Sequence, residues 1–228
     1  MNTRANRALE TLRGSPQLVL PSLLQCDFGN LASEIERLEA AGIRALHLDV
    51  MDGHFVPNLT YGMPIVAGLR RRTEMPLDVH LMISRPSRYI QQFVDAGADL
   101  LTIHCEIEEP VDEVLDQIRE TGIGVGLAAN PDTAYESFSQ HLAKCDLFLP
   151  MSVNAGFGGQ EFNPVALDKL RAARADHPHL LLEVDGGVNL STIADCADAG
   201  ATLMVVGSAI FGQSDYGTAI DGLLAKLN

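Results

Sequence analysis

The chain changes hydrophobic period over and over, and that alternation limits its fold more than any other feature. Leu31, Ile35 and Leu38 recur at helical spacing, Gly42 follows as a stop, and an apolar strand-like run begins at once. The same change repeats to the end of the chain. Strand-like runs lie at 17–24, 44–51, 76–82, 99–105, 123–128, 146–151, 180–185 and 202–206. The spacing predicts helices after each of them: from Asn30, then over 63–72, around Tyr89 to Val94, around Val111 to Ile118, more weakly over 133–143, and over 164–175, 191–199 and 218–227. Gly97, Gly122 and Gly200 repeat the punctuation of Gly42. Strict alternation of β and α elements implies a parallel sheet. Eight such units fit a closed (β/α)8 barrel, typically about 250 residues, better than an open sheet. The GxGxxG that a dinucleotide-binding sheet would carry after its first strand is absent. The expected fold is therefore α/β, a single (β/α)8 TIM barrel over 17–228. A short N-terminal extension, 1–16, precedes it, with a short helix over 8–14 broken by Gly14-Ser15-Pro16.

Charge and composition exclude several classes of function. Asp and Glu number 30 against 16 Lys and Arg, a formal net charge of −14, and no basic face is present, so no nucleic-acid partner is expected. Arg70-Arg71-Arg72 sits at a helix end, where cations suit the helix dipole. No apolar run approaches the roughly 18 residues of a membrane span, so no membrane partner is expected. The basic N-terminus lacks an apolar signal core. Cys26, Cys105, Cys145 and Cys196 are scattered without a CxxC pair, which argues for reduced thiols in a cytoplasmic protein.

A barrel places its active site at the carboxyl ends of its strands, and polar groups gather at those ends here. In His47-Leu48-Asp49-Val50-Met51, the two-residue alternation of a strand puts His47, Asp49 and Met51 on one face. The other strand ends carry Ser22, then Asp78, His80 and Met82, then His104 and Glu106, then Met151 and Asn154, then Glu183 and Asp185. Ionisable groups in such number are costly to bury unless paired or coordinated. His47, Asp49, His80 and Asp185 together make a divalent metal site of mixed nitrogen and oxygen donors, suited to Zn, Fe, Mn or Co. The alternative is a pair of core histidines hydrogen-bonded to carboxylates. Met51, Met82 and Met151 read as the apolar wall of the pocket.

Three late loops are rich in glycine: Asn154 to Gln160, which includes Gly156, Phe157, Gly158 and Gly159, then Gly186-Gly187, then Gly207-Ser208. Glycines let backbone N–H groups approach an anion, and a barrel's last loops commonly hold phosphate without an obligatory Lys or Arg.

Together these motifs resemble the ribulose-phosphate 3-epimerases, metal-dependent (β/α)8 barrels. The resemblance runs from Leu20 to Gly212 and rests on Pro21-Ser22, the run His47 to Asn58, Leu77 to Met82, Met151 to Asn154, Gly156 to Gln160, Glu183 to Gly187, and Gly207-Ser208. It implies one divalent metal ion held by His47, Asp49, His80 and Asp185, with Asp49 and Asp185 as the catalytic acid–base pair. It also implies a sugar-phosphate substrate contacted by Ser22, His80, Gly156, Phe157, Gly158, Gly159, Asp185, Gly186, Gly187, Gly207 and Ser208. The implied reaction interconverts D-ribulose 5-phosphate and D-xylulose 5-phosphate in the pentose phosphate pathway, by proton transfer at C3 through an enediolate. A homo-oligomer, dimer or hexamer, is implied as well. A sister enzyme acting on D-allulose 6-phosphate and a non-catalytic sugar-phosphate-binding barrel are the competing readings. Departures from the pattern are Ala155 where the family usually has Pro, Pro150 before Met151, Ala129 and Ala134, and residues 1–16.

Overall fold

The computed structural model describes residues 3–227, which form eight strands and nine α-helices. The strands are β1 (Leu18–Pro21), β2 (Leu46–Met51), β3 (Leu77–Met82), β4 (Leu100–His104), β5 (Gly124–Ala129), β6 (Leu147–Pro150), β7 (Leu181–Val184) and β8 (Leu203–Val206). The helices are α1 (Thr3–Arg13), α2 (Leu31–Ala40), α3 (Met63–Arg70), α4 (Ile90–Ala96), α5 (Val111–Glu120), α6 (Val165–Asp176), α7 (Ile193–Asp198), α8 (Ser208–Phe211) and α9 (Tyr216–Leu224). Every strand pair is parallel, from β2 through β8 in sequence order, and β8 pairs with β1. A single bridge, Ser22 to His47, joins β1 to β2 and closes the ring. This is the expected TIM barrel.

Alternating side chains divide the core into two shells. Leu46, Leu48 and Val50 of β2 face outward and join Ile35 and Leu38 of α2 and Val66 and Leu69 of α3 in the larger cluster. Leu18, Leu20, Leu100, Leu147, Leu149, Leu181, Leu203 and Val205 fill the barrel interior. Gly42, Gly97, Gly122 and Gly200, the four stops, all take positive φ, the left-handed conformation that ends a helix cheaply only at glycine.

The N-terminal helix is longer than the sequence pattern predicts and has a definite seat. Ala5, Ala8 and Leu12 form its buried stripe, and Leu12 joins the interior cluster, so α1 stops the amino end of the barrel. Asp99, buried at that end, accepts from Arg4 Nε at 2.8 Å, from Arg70 Nη1 at 3.0 Å and from the Leu77 N–H at 2.9 Å. Arg70 therefore does more than complement a helix dipole: it neutralises a buried carboxylate.

Three elements differ from expectation. The helix expected over 133–143 is two short 3-10 segments, Tyr135–Ser137 and Ser139–Lys144. Ser137 donates its hydroxyl to the Ala134 carbonyl at 2.6 Å, a local bond that competes with the α ladder. The first strand ends at Pro21 rather than 24, because Ser22 caps a 3-10 turn by accepting from the Leu24 N–H. The last helix begins at Tyr216, where Asp215 accepts from the Thr218 N–H as its N-cap. Among the described residues no helix is long and apolar enough to cross a membrane, and all four cysteines are free.

Candidate metal centre and active site

Parallel pairing of β2 with β3 sets Asp49 beside His80 and His47 beside Asp78. Asp185 lies just past β7, bridged to Met151 past β6. The ring thus brings residues from strands 2, 3 and 7 to one place: donor atoms of His47, Asp49, His80 and Asp185 all lie within 4.8 Å of one another. Asp49 Oδ1 stands 3.4 Å from His47 Nε2 and 3.3 Å from His80 Nδ1. His47, Asp49 and His80 are buried.

The two histidines turn opposite nitrogens to the cluster. His47 Nδ1 donates to Asp78 Oδ2 at 2.7 Å, and its Nε2 has no hydrogen-bond partner. His80 presents Nδ1, and its Nε2 is held by His104 Nε2 at 2.8 Å. A fully buried imidazole nitrogen without a partner is costly. Here it faces a carboxylate and a second imidazole, a donor set that fits a first-row divalent cation. Asp78 and Glu183 lie behind His47, with Glu183 Oε1 3.2 Å from Nδ1.

Electrostatics set the two aspartates apart. Burial pushes Asp49 up, but His47 and His80 outweigh it and hold the carboxyl well below the usual range. Burial, reinforced by the Asp49 charge, pushes Asp185 well above it. Burial lowers His80 to about 4, leaving a neutral imidazole. Burial opposes protonation of His47 too, yet Asp49, Glu183 and Asp78 raise it well above the ordinary value. Without a metal, then, the cluster keeps a proton as its positive charge, one that a cation would displace.

Above the cluster a cleft opens at the carboxyl end of the barrel. Ser22, Asp49, Met51, Met82, Met151, Gly156, Phe157, Gly158, Gly159, Asp185, Gly186, Gly187, Gly207 and Ser208 all line it. His47 and His80 do not; they lie beneath its floor, so His80 has no exposed surface to offer a substrate. No Lys or Arg is among the lining residues. Ser22 donates its hydroxyl to Asp49 Oδ2 at 2.6 Å. Asp52 and His54 belong to the rim: the Asp52 carboxylate accepts from the N–H groups of His54, Phe55 and Ser84 and from the Ser84 hydroxyl.

The loop over 154–160 is tied down at several points. Gln160 Nε2 donates to the carbonyls of Asn154 and Phe157, and Asn58 Nδ2 donates to the Gly156 carbonyl. Ala155 uses the N–H that a proline would lack, donating to Asn130 Oδ1 at 3.1 Å. Gly187 has φ +64°, and a Cβ there would stand 2.7 Å from the Phe162 backbone nitrogen, so no other residue fits without movement. Gln25 and Asn189 also line the cleft, though neither stood out by strand alternation because both lie outside the strands, Gln25 in the 3-10 turn after β1. Asp78, Glu183, His104 and Glu106 were visible as polar strand ends, but their contacts were not.

Residues 18–211 match the model of the ribulose-phosphate 3 epimerase family. The chain belongs to that family. Its members include a ribulose-phosphate 3-epimerase of Bacillus subtilis, 46% identical over 207 residues that span 89% of this chain and 95% of the relative. The Escherichia coli K12 enzyme is 44% identical over 215 residues, 92% of this chain and 96% of the relative. A rice cytoplasmic isoform is 42% identical over 209 residues, covering 90% and 92%. This epimerase is therefore an isomerase. Among solved structures it is similar to a 3-hexulose-6-phosphate synthase, with a TM-score of 0.71 at 15% identity, covering 93% of this chain and 100% of that one. Identity that low shows the shared barrel alone.

Proposed function

We propose that this epimerase interconverts D-ribulose 5-phosphate and D-xylulose 5-phosphate by proton transfer between C3 and two carboxylates, Asp49 and Asp185. The observation that carries the reading is geometric: Asp49 and Asp185 reach one cluster from β2 and from just past β7 and both line the cleft, with Asp49 held well below the usual carboxylate range and Asp185 raised to about 7. Carboxyls whose surroundings drive them apart are suited to serve as base and acid. Asp49 takes the proton as the C3–H bond breaks, leaving an enediolate, and Asp185 delivers its own proton to form the new C3–H bond on the opposite face. In the reverse direction the roles exchange.

His47, Asp49, His80 and Asp185 would hold a divalent ion, which the unpartnered His47 Nε2 supports. Bound there, Zn, Fe, Mn or Co would polarise the ketone and hydroxyl oxygens and offset the negative charge that develops as the proton leaves. Ser22 orients Asp49 through its hydroxyl. Met51, Met82 and Met151, all buried, make the wall apolar and keep water from the reacting carbon. In a chain of net charge −14 whose cleft lacks Lys and Arg, the substrate phosphate would be held by backbone N–H groups of the turns at 156–159, 186–187 and 207–208. The rice relative named as a cytoplasmic isoform supports a cytoplasmic placement.

The test is epimerisation of D-ribulose 5-phosphate before chelation, after chelation, and after return of each divalent metal, with D-allulose 6-phosphate as the competing substrate. Activity should vanish on chelation and return with metal, at a higher kcat/KM for the pentulose. Full activity in the stripped protein would refute the metal assignment, and faster turnover of the hexulose would refute the substrate.

A further inference from the structure

From the His80 nitrogen turned away from the cluster, a chain of hydrogen bonds runs through groups to which the proposed mechanism gives no role. His80 Nε2 meets His104 Nε2 at 2.8 Å, and His104 Nδ1 meets Glu106 Oε2 at 3.0 Å. Glu106 Oε1 accepts from the Asn130 N–H at 2.7 Å and from the Thr133 hydroxyl. His80 and His104 are both fully buried, so neither has water to redirect its bonds.

With both rings neutral, this arrangement has one direction only. Two facing imidazole nitrogens share a single proton, so one donates and the other accepts. Glu106 is held ionised, its charge favoured by His104, Thr133 and Asn130 against the cost of burial, and an ionised carboxylate can only accept. His104 must therefore carry its proton on Nδ1, where it faces Glu106. That leaves His104 Nε2 bare, so His80 must carry its proton on Nε2. His80 Nδ1, 3.3 Å from Asp49 Oδ1, then turns a lone pair toward that oxygen, an arrangement that a cation held between them would satisfy. The opposite choice would set a bare His104 Nδ1 against a carboxylate oxygen and put a proton on the His80 nitrogen that faces the cluster.

We propose that His104 and Glu106 are positioning residues that fix the proton of His80 on Nε2 and so keep Nδ1 available as a metal ligand. The inference rests on the reading of His47, Asp49, His80 and Asp185 as a metal site. Asp78 does the corresponding work for His47 from the other side, at Nδ1, so the two ligand histidines are held as opposite tautomers.

Glu106→Gln tests the direction of the chain without removing its links. The amide oxygen can keep the Asn130 and Thr133 bonds, which turns the amide N–H toward His104 Nδ1. His104 must then accept there, donate from Nε2, and drive the His80 proton onto Nδ1. The expected result is Zn²⁺ binding weakened by about tenfold or more in competition with a chromophoric chelator, with an unchanged circular dichroism spectrum. Imidazole ¹⁵N correlation spectra supply a second measurement that needs no variant. In the Zn²⁺-loaded wild-type protein, His104 should carry its proton on Nδ1 and His80 on Nε2. Tight Zn²⁺ binding by wild type with affinity within twofold in Glu106→Gln, or a wild-type His104 protonated on Nε2, overturns the inference and leaves the metal site standing. A wild-type protein that takes up no Zn²⁺, Fe²⁺, Mn²⁺ or Co²⁺ overturns both.

Discussion

Ser22 donates its hydroxyl to Asp49 Oδ2 at 2.6 Å, while Asp49 Oδ1 faces the two ligand-side imidazole nitrogens. The hydroxyl thus takes one oxygen of the carboxylate, leaves the other to the cation site, and stabilises the ionised form that a base requires. Ser22→Ala removes a hydrogen bond to a charged group, an interaction of about 1.5–3 kcal/mol. We expect kcat to fall by about ten- to a hundredfold, and the acid limb of the rate profile to move to higher pH, because loss of the donor raises the Asp49 carboxyl. The profile of kcat/KM against pH with D-ribulose 5-phosphate checks this; an unmoved acid limb would show that the hydroxyl serves only the fold.

The two-carboxylate scheme makes a prediction about isotope exchange that loss of activity alone does not. Asp49→Asn and Asp185→Asn should each abolish epimerisation while the circular dichroism spectrum is kept. Each variant retains one carboxylate, which can still remove the C3 hydrogen from the one epimer that presents it to that face. In deuterated water, one variant should wash deuterium into D-ribulose 5-phosphate and the other into D-xylulose 5-phosphate. Exchange of both epimers by a single variant would mean that one base serves both faces.

Much of this site was legible because the barrel obeys a two-residue alternation. The spacing of His47, Asp49 and Met51 gave their shared face directly. Asp185 joins them from far along the chain because a closed ring of eight strands brings β2 and β7 to a common mouth. The partners of these residues were not legible. Asp78 reads on paper like any other polar inward residue, and only the β2–β3 register places it on His47 Nδ1. The direction of the His80–His104–Glu106 chain depends on which nitrogen faces which, a matter of ring orientation. Over 133–143 the sequence predicted a helix, and Phe138 and Leu142 there are buried, but its 3-10 form, with Ser137 bonded to the Ala134 carbonyl, was not legible. The destination of Leu12 was equally hidden, since a buried helix stripe does not say what it packs on.

Glu183 gives the metal-free protein a pH dependence of known sign. Burial, with the Asp78 charge beside it, raises its carboxyl well above the ordinary 4.5. Between the ordinary value and the raised one, the folded protein holds a proton that the unfolded chain has released, so stability falls as pH rises. Chelator-treated protein should therefore unfold at progressively lower urea concentration from about pH 5 to about pH 8. Glu183→Gln, which is neutral throughout, should make that slope shallower and leave the part that Asp185 and His47 contribute. An equal slope in the variant would assign the effect to another group.

Leu12 is fully buried and belongs to the same interior cluster as Leu18, Leu20 and Leu100, at the end of the barrel away from the cleft. Truncating it removes apolar surface from the barrel's own interior and leaves a cavity that the strands, hydrogen-bonded around a ring, can close only in part. Leu12→Ala should cost about 2–5 kcal/mol in urea denaturation, in the range of buried leucine truncations. KM for D-ribulose 5-phosphate should stay unchanged below the unfolding transition, because α1 is tied to the amino end of the barrel, through Arg4 to Asp99 and Arg13 to Asp146, and the cleft opens at the carboxyl end. If stability were unaffected, the N-terminal helix would be a detachable appendage; if KM rose, the barrel interior would be transmitting strain from its floor to its mouth.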